Sequence, residues 1–140
     1  PWILQVPRLG LNQAVLDGDP HAVVDGGSTW HWTGTGLVGE GGSTVLFGHR
    51  TEHGGPYRNQ HLLANGDELI IYTADQRRYT YRLVAETITS SDSRQILAAC
   101  RRIGGETVSL VSCTLPNRLP TSLDYRLITT FALVRWEDLG

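Results

Sequence analysis

Short runs of β-branched and aromatic residues, each closed within a few positions by Gly, Pro, Asn or Asp, govern what this chain can become. Punctuation of that kind ends strands and leaves no room for the long stretches of good helix formers that a bundle requires. Sixteen glycines and six prolines among 140 residues sustain the pattern, and a hydrophobic content of 40% fills one core without a second folding unit. We therefore expect one mainly-β domain over residues 1–140.

The clearest sheet signal is a hairpin with arms Glu68–Thr73 and Arg77–Glu86, where Tyr79, Tyr81, Leu83 and Ala85 share one face by period-two alternation. Ile3–Val6, Gln13–Leu16 and His21–Val24 read as opening strands, and residues 34–42 as a glycine-rich loop. Thr44–Gly48 reads as a buried strand ending at His49, and Tyr57–Ala64 as a short helical or irregular connection. Ser91, Asp92 or Ser93 caps a short helix whose apolar side holds Ile96, Leu97, Cys100 and Ile103, with Gly104-Gly105 ending it. Thr107–Ser112 delivers Cys113 at a strand end. A loop with two prolines then leads to a last strand, Leu123–Trp136, apolar on both faces in its middle and carrying Arg126 near its start.

A net charge of -2 provides no general attraction for phosphate backbones, so nucleic acid is not expected as a partner. Every one of the twelve cationic residues is Arg, so a side-chain amine acceptor has to come from another molecule. No apolar run reaches the ~20 residues needed to cross a bilayer. Two cysteines fall short of a disulfide framework, and a Cys100–Cys113 bridge would consume the thiol on which the chemistry below depends.

Acyl transfer by cysteine needs a thiolate, a proton donor for the leaving amine and a positive or hydrogen-bonding group where the carbonyl oxygen becomes negative. Cys113, His49 and Arg126 supply those three types, each expected at the end or start of a strand, so that neighbouring strands can present them at one rim. A thiol at a strand end lacks the field of a helix N-terminus, which leaves its activation to the imidazole and the guanidinium.

At these positions the chain resembles the sortases, and among them the actinobacterial class E type. The resemblance covers nearly the whole length. It rests on the opening stretch Ile3 to Asn12, on the segment Gly39 to Thr51 around Gly48-His49-Arg50, on Gly66-Asp67 followed by Tyr79-Thr80-Tyr81, and on Arg126-Leu127-Ile128. Ser109-Leu110-Val111-Ser112-Cys113-Thr114 is similar to the family's Thr-Leu-x-Thr-Cys motif, with serine in place of threonine at two positions. Arg118 competes with Arg126 for the cationic role, but sits in the prolyl loop.

The resemblance implies a closed eight-stranded sortase-type β-barrel, all-β, with short helical segments in its connections. It implies a transpeptidase that cleaves a Leu-(Pro or Ala)-x-Thr-Gly sorting signal between Thr and Gly and passes the product to an amine acceptor, a peptidoglycan precursor or a pilin lysine. Cys113 would be the nucleophile, His49 the proton-transfer group and Arg126 the oxyanion's cation. Ser112 would supply a supporting hydrogen bond, and Ile96 and Leu97 would roof the groove for the signal's leucine. A monomer on the extracellular face of the cell membrane is expected, held by an anchor outside these residues.

Other readings stand beside this one. A lone cysteine more often fills a core, and a non-catalytic surface domain on the same fold remains an alternative. A papain-like enzyme would place its nucleophile before its histidine and at a helix start, the reverse of the order here. An L,D-transpeptidase would carry a Ser-x-Gly-Cys-Arg-like motif that Val111 to Thr114 does not match. Zinc on His49, His53 and His61 is disfavoured by Gly54-Gly55-Pro56, and Glu52, Asp67, Glu86, Asp92 and Glu106 make no calcium-ligand run, so neither metal nor cofactor is expected. His21, His31, His53 and His61 are expected at the surface or in loops, and Trp2, Trp30, Trp32 and Trp136 at the barrel ends.

Overall fold

The computed structural model describes residues 2–51, 55–101, 104–114 and 124–140. Glu52, His53, Ile103, Arg118, Leu123 and most of the prolyl loop lie outside the described residues.

Eight strands close on themselves: β1 (Trp2–Val6), β2 (Leu11–Leu16), β3 (Thr29–His31), β4 (Ser43–Phe47), β5 (Glu68–Tyr72), β6 (Arg77–Ser90), β7 (Thr107–Thr114) and β8 (Tyr125–Asp138). Around the barrel they run β1-β2-β3-β4-β7-β8-β6-β5. The barrel closes because each strand has a hydrogen-bonded neighbour on both sides. Two short helices, α1 (Pro20–Asp25) and α2 (Ser93–Ala99), lie in the connections.

The hairpin forms as its alternation predicts, with Leu69 opposite Tyr81 and Ile71 opposite Tyr79. Tyr79, Tyr81 and Leu83 point into the barrel, where they pack with Leu4, Val6, Leu46, Leu110 and Phe131. Between Leu83 and Ala85 the register against β8 shifts by one residue, a bulge that breaks the alternation and leaves Ala85 only partly buried.

A second apolar layer covers the outside of β4, β7 and β8. Val45, Val111 and Ile128 pack there beneath Ile96 and Cys100 of the α2 segment. This is why β7 is buried on both faces: Val108 and Leu110 serve the interior, and Val111 serves the outer layer. At the far end of the barrel the glycine-rich loop is pinned by Glu106, whose carboxylate accepts from Gly39 N (3.0 Å) and Gly41 N (2.9 Å) and from the Tyr81 hydroxyl. Gly39 has φ +91°, and a Cβ there would collide with the Tyr79 hydroxyl, so only glycine fits.

Three local expectations are corrected. Residues 21–24 are not a strand but the body of α1: Asp19 accepts from His21 N at 3.2 Å as the N-cap and Pro20 opens the first turn. The two valines that suggested a strand, Val23 and Val24, lie against Trp30. Strand β3 escaped notice because three residues carry too little pattern; it exists through its pairing with β2 and β4. Helix α2 stops at Ala99, with Cys100 in the cap position, several residues short of Gly104.

Candidate active site

Three strand termini meet at one end of the barrel. Parallel pairing of β4 with β7 sets Phe47 beside Val111, so His49 leaves β4 next to the end of β7. Antiparallel pairing of β7 with β8 sets Cys113 directly opposite Arg126. Cys113 and Val111 share the outer face of β7, and the thiol emerges from the outer apolar layer, half-buried and unbridged.

The three side chains line one cleft of about 680 Å³. Trp30, Trp32, Phe47 and Ile96 give it apolar walls, and α1 contributes His21, Val24 and Asp25 to its rim. The His49 Nε2–H donates to Asp25 Oδ1 at 2.7 Å, which ties the ring to the end of α1. The Arg126 guanidinium lies 5.8 Å from the centre of the Phe47 ring, and its Nη1 donates to Tyr125 O at 3.0 Å. A cation resting on an aromatic face keeps its charge within the cleft.

The two cysteines occupy opposite chemical environments. Cys100 is fully covered, and burial pushes its thiol up to about 11, against a smaller opposing effect of a hydrogen bond with Ser109. Of the two, Cys113 is the one exposed to the cleft.

The remaining expected site residues separate. Ile96 lines the cleft. Leu97, one residue on, turns outward, is 38% exposed and does not line it. Ser112 faces the barrel interior, because adjacent strand residues point to opposite sides: it is fully buried and its hydroxyl donates to the Gln60 side-chain carbonyl. Gln60 in turn donates to Leu110 O (3.0 Å) and Thr129 Oγ1 (3.1 Å), a closed polar knot behind the site. Ser112 therefore packs behind the nucleophile's strand and does not reach the cleft.

The strand expected over residues 21–24 leaves Asp25 without a role; the Asp19-Pro20 start is the signal in the sequence for the short helix that ends at Asp25. Trp30 and Trp32 line the cleft. His21 also lines it, while His31 is buried, with Nδ1 2.8 Å from Asp17 Oδ1. Among the described residues no group of three or more His, Cys, Asp or Glu side chains is placed to hold a metal ion. His49 is bonded to Asp25 and His61 to Arg50.

The sortase domain model matches residues 4–134. The chain belongs to the sortase family. Sortase SrtE1 of Streptomyces coelicolor is 26% identical to this sortase in an alignment 124 positions long, with 80% of this chain and 35% of that protein covered. The chain thus spans about a third of that relative's length. The fold matches the SrtA sortase from Actinomyces oris at a TM-score of 0.84, with 24% identity over 97% of this chain and 80% of the other. The S. coelicolor sortase E1 structure, which holds a tripeptide in its active site, also matches at 0.84, with 24% identity over 97% and 88%. Sortase E from Streptomyces avermitilis follows at 0.79 and 22%, over 97% and 88%.

Proposed function

We propose that this sortase is a cysteine transpeptidase acting on a Leu-(Pro or Ala)-x-Thr-Gly sorting signal. The observation that carries the reading is that Cys113, His49 and Arg126 line one cleft, with Cys113 and Arg126 direct neighbours across β7 and β8. In the reactive form Cys113 is a thiolate and His49 an imidazolium. The sulfur attacks the Thr-Gly carbonyl carbon, the carbonyl electron pair moves to oxygen, and Arg126 stabilises the resulting oxyanion. Collapse breaks the C–N bond as His49 gives its proton to the departing glycine amine, leaving a thioacyl enzyme. An acceptor amine then attacks, His49 takes its proton, and the second collapse returns the thiolate. The apolar walls formed by Trp32, Phe47 and Ile96 suit the signal's leucine. Signals of this kind sit on secreted proteins, so the enzyme works, as a monomer, on the outer face of the cell membrane, with a peptidoglycan precursor or a pilin lysine as acceptor.

The test is covalent capture by a signal-peptide analogue that carries a thiol-directed electrophile in place of the scissile bond. Mass spectrometry should find one adduct, on Cys113, because burial holds the Cys100 thiol up at about 11; it should vanish in Cys113→Ala and persist in Cys100→Ala. An adduct on Cys100, or none while Cys113 still reacts with a small alkylating agent, defeats the reading and favours a non-catalytic binding domain.

A further inference from the structure

Strand β4 ends at Phe47, beside Val111 and two residues short of Cys113 on the nucleophile's strand. The β4–β7 ladder runs from Ser43 beside Thr107 to Phe47 beside Val111, and Gly48 N makes one more bond, to Val111 O at 3.2 Å. Carbonyls facing the same neighbour recur every second residue, so the next acceptor on that side of β7 is the carbonyl of Cys113. The main chain has by then turned away through His49. The Arg50 side chain reaches back in its place, and Nη1 donates to Cys113 O at 3.1 Å.

Arg50 is 1% exposed and the largest fully buried side chain among the described residues. Two further donors are engaged as well: Nε with Arg58 O at 3.3 Å and Nη2 with His61 Nδ1 at 2.8 Å. A guanidinium can only donate, so His61 Nδ1 accepts and the ring's proton sits on Nε2. Burying a cation is costly unless its hydrogen bonds are made, and those made here tie the residue after His49 to the backbone of Cys113. The loop return at Tyr57 N to His49 O, 3.0 Å, closes the same unit from the other side.

We propose that Arg50 is a positioning residue for the nucleophile, acting through the Cys113 carbonyl in place of a missing strand bond and fixing the separation of the Cys113 and His49 backbones. Its catalytic consequence rests on the transpeptidase reading; its effect on the thiol does not. The test uses Arg50→Gln, Arg50→Lys and His61→Leu, each checked for cooperative melting, with rates expressed per titrated thiol. Arg50→Gln should lower kcat for signal-peptide cleavage about a hundredfold with KM within about threefold, because a misplaced nucleophile costs turnover and not peptide binding. Iodoacetamide should alkylate its Cys113 about tenfold more slowly at neutral pH, since a nearby cation favours the thiolate. Arg50→Lys should recover part of both losses. His61→Leu, which keeps the guanidinium but removes one of its acceptors, should lose about five- to tenfold in kcat, and it decides the matter if Arg50→Gln does not fold. A role in stability alone would lower the melting temperature and leave kcat and alkylation per thiol at wild-type values, and that result in any folded variant overturns the proposal. If wild type turns over no signal peptide, the transpeptidase reading fails and the alkylation series still decides for or against Arg50.

Discussion

The bond between Asp25 and His49 is the residue-scale feature with the clearest consequence. Asp25 is half-exposed and His49 mostly covered, so water screens the pair and its value is that of an exposed charge contact, about 1 kcal/mol at most. Its larger effect is geometric, since a carboxylate on Nε2 decides which way the ring turns and which nitrogen faces the cleft. Asp25→Asn should therefore reduce kcat by about three- to tenfold, the kinetic equivalent of roughly 1 kcal/mol, and leave peptide KM within about twofold. Steady-state cleavage of a signal peptide by the two proteins measures it. A loss of a thousandfold or more would mean that Asp25 takes part in proton transfer itself.

At the scale of elements, the turn from β4 into the His49 segment depends on Gly48. A Cβ at Gly48 would sit inside contact distance of the Tyr57 ring, which is fully buried and whose hydroxyl is 2.8 Å from Thr29 Oγ1. Neither partner has room to retreat. Gly48→Ala should cost about 1–3 kcal/mol by overpacking, read as a lower denaturant midpoint at unchanged slope. The same turn carries His49, so activity should fall in the protein that remains folded. Wild-type stability in this variant would show that the loop at Tyr57 yields more readily than its burial suggests.

The whole molecule stores several acidic protons in its interior. Burial raises Tyr57 well above the tyrosine range, offset in part by its hydrogen bond with Thr29. Burial, reinforced by the hydrogen bond to Glu106, raises Tyr81 still further. Their folded-state values exceed the unfolded value of about 10, so their contribution to stability is complete below that pH and is lost as pH rises above it. Melting temperatures should fall steeply above about pH 10, with tyrosinate absorbance appearing together with unfolding. A Tyr57→Phe, Tyr81→Phe double variant should show a shallower fall over the same range. Parallel curves for the two proteins would mean that other groups set the alkaline limit.

Much of this was written in local pattern. The alternation of Tyr79, Tyr81 and Leu83 fixed an inward face, the Asp92 cap began α2, and the residue types at His49, Cys113 and Arg126 named a chemistry together with a family resemblance that the comparisons bear out. Those signals are local because capping and strand alternation act over two to four residues. What stayed hidden depends on which strand lies beside which. The register of β7 against β8 turned Ser112 inward and Cys113 outward. The fold of α1 brought Asp25, 24 residues away in the chain, onto His49. The early end of β4 gave Arg50 a carbonyl to hold. No local periodicity encodes such pairings; they are settled when the barrel closes and every buried donor and acceptor must find its partner.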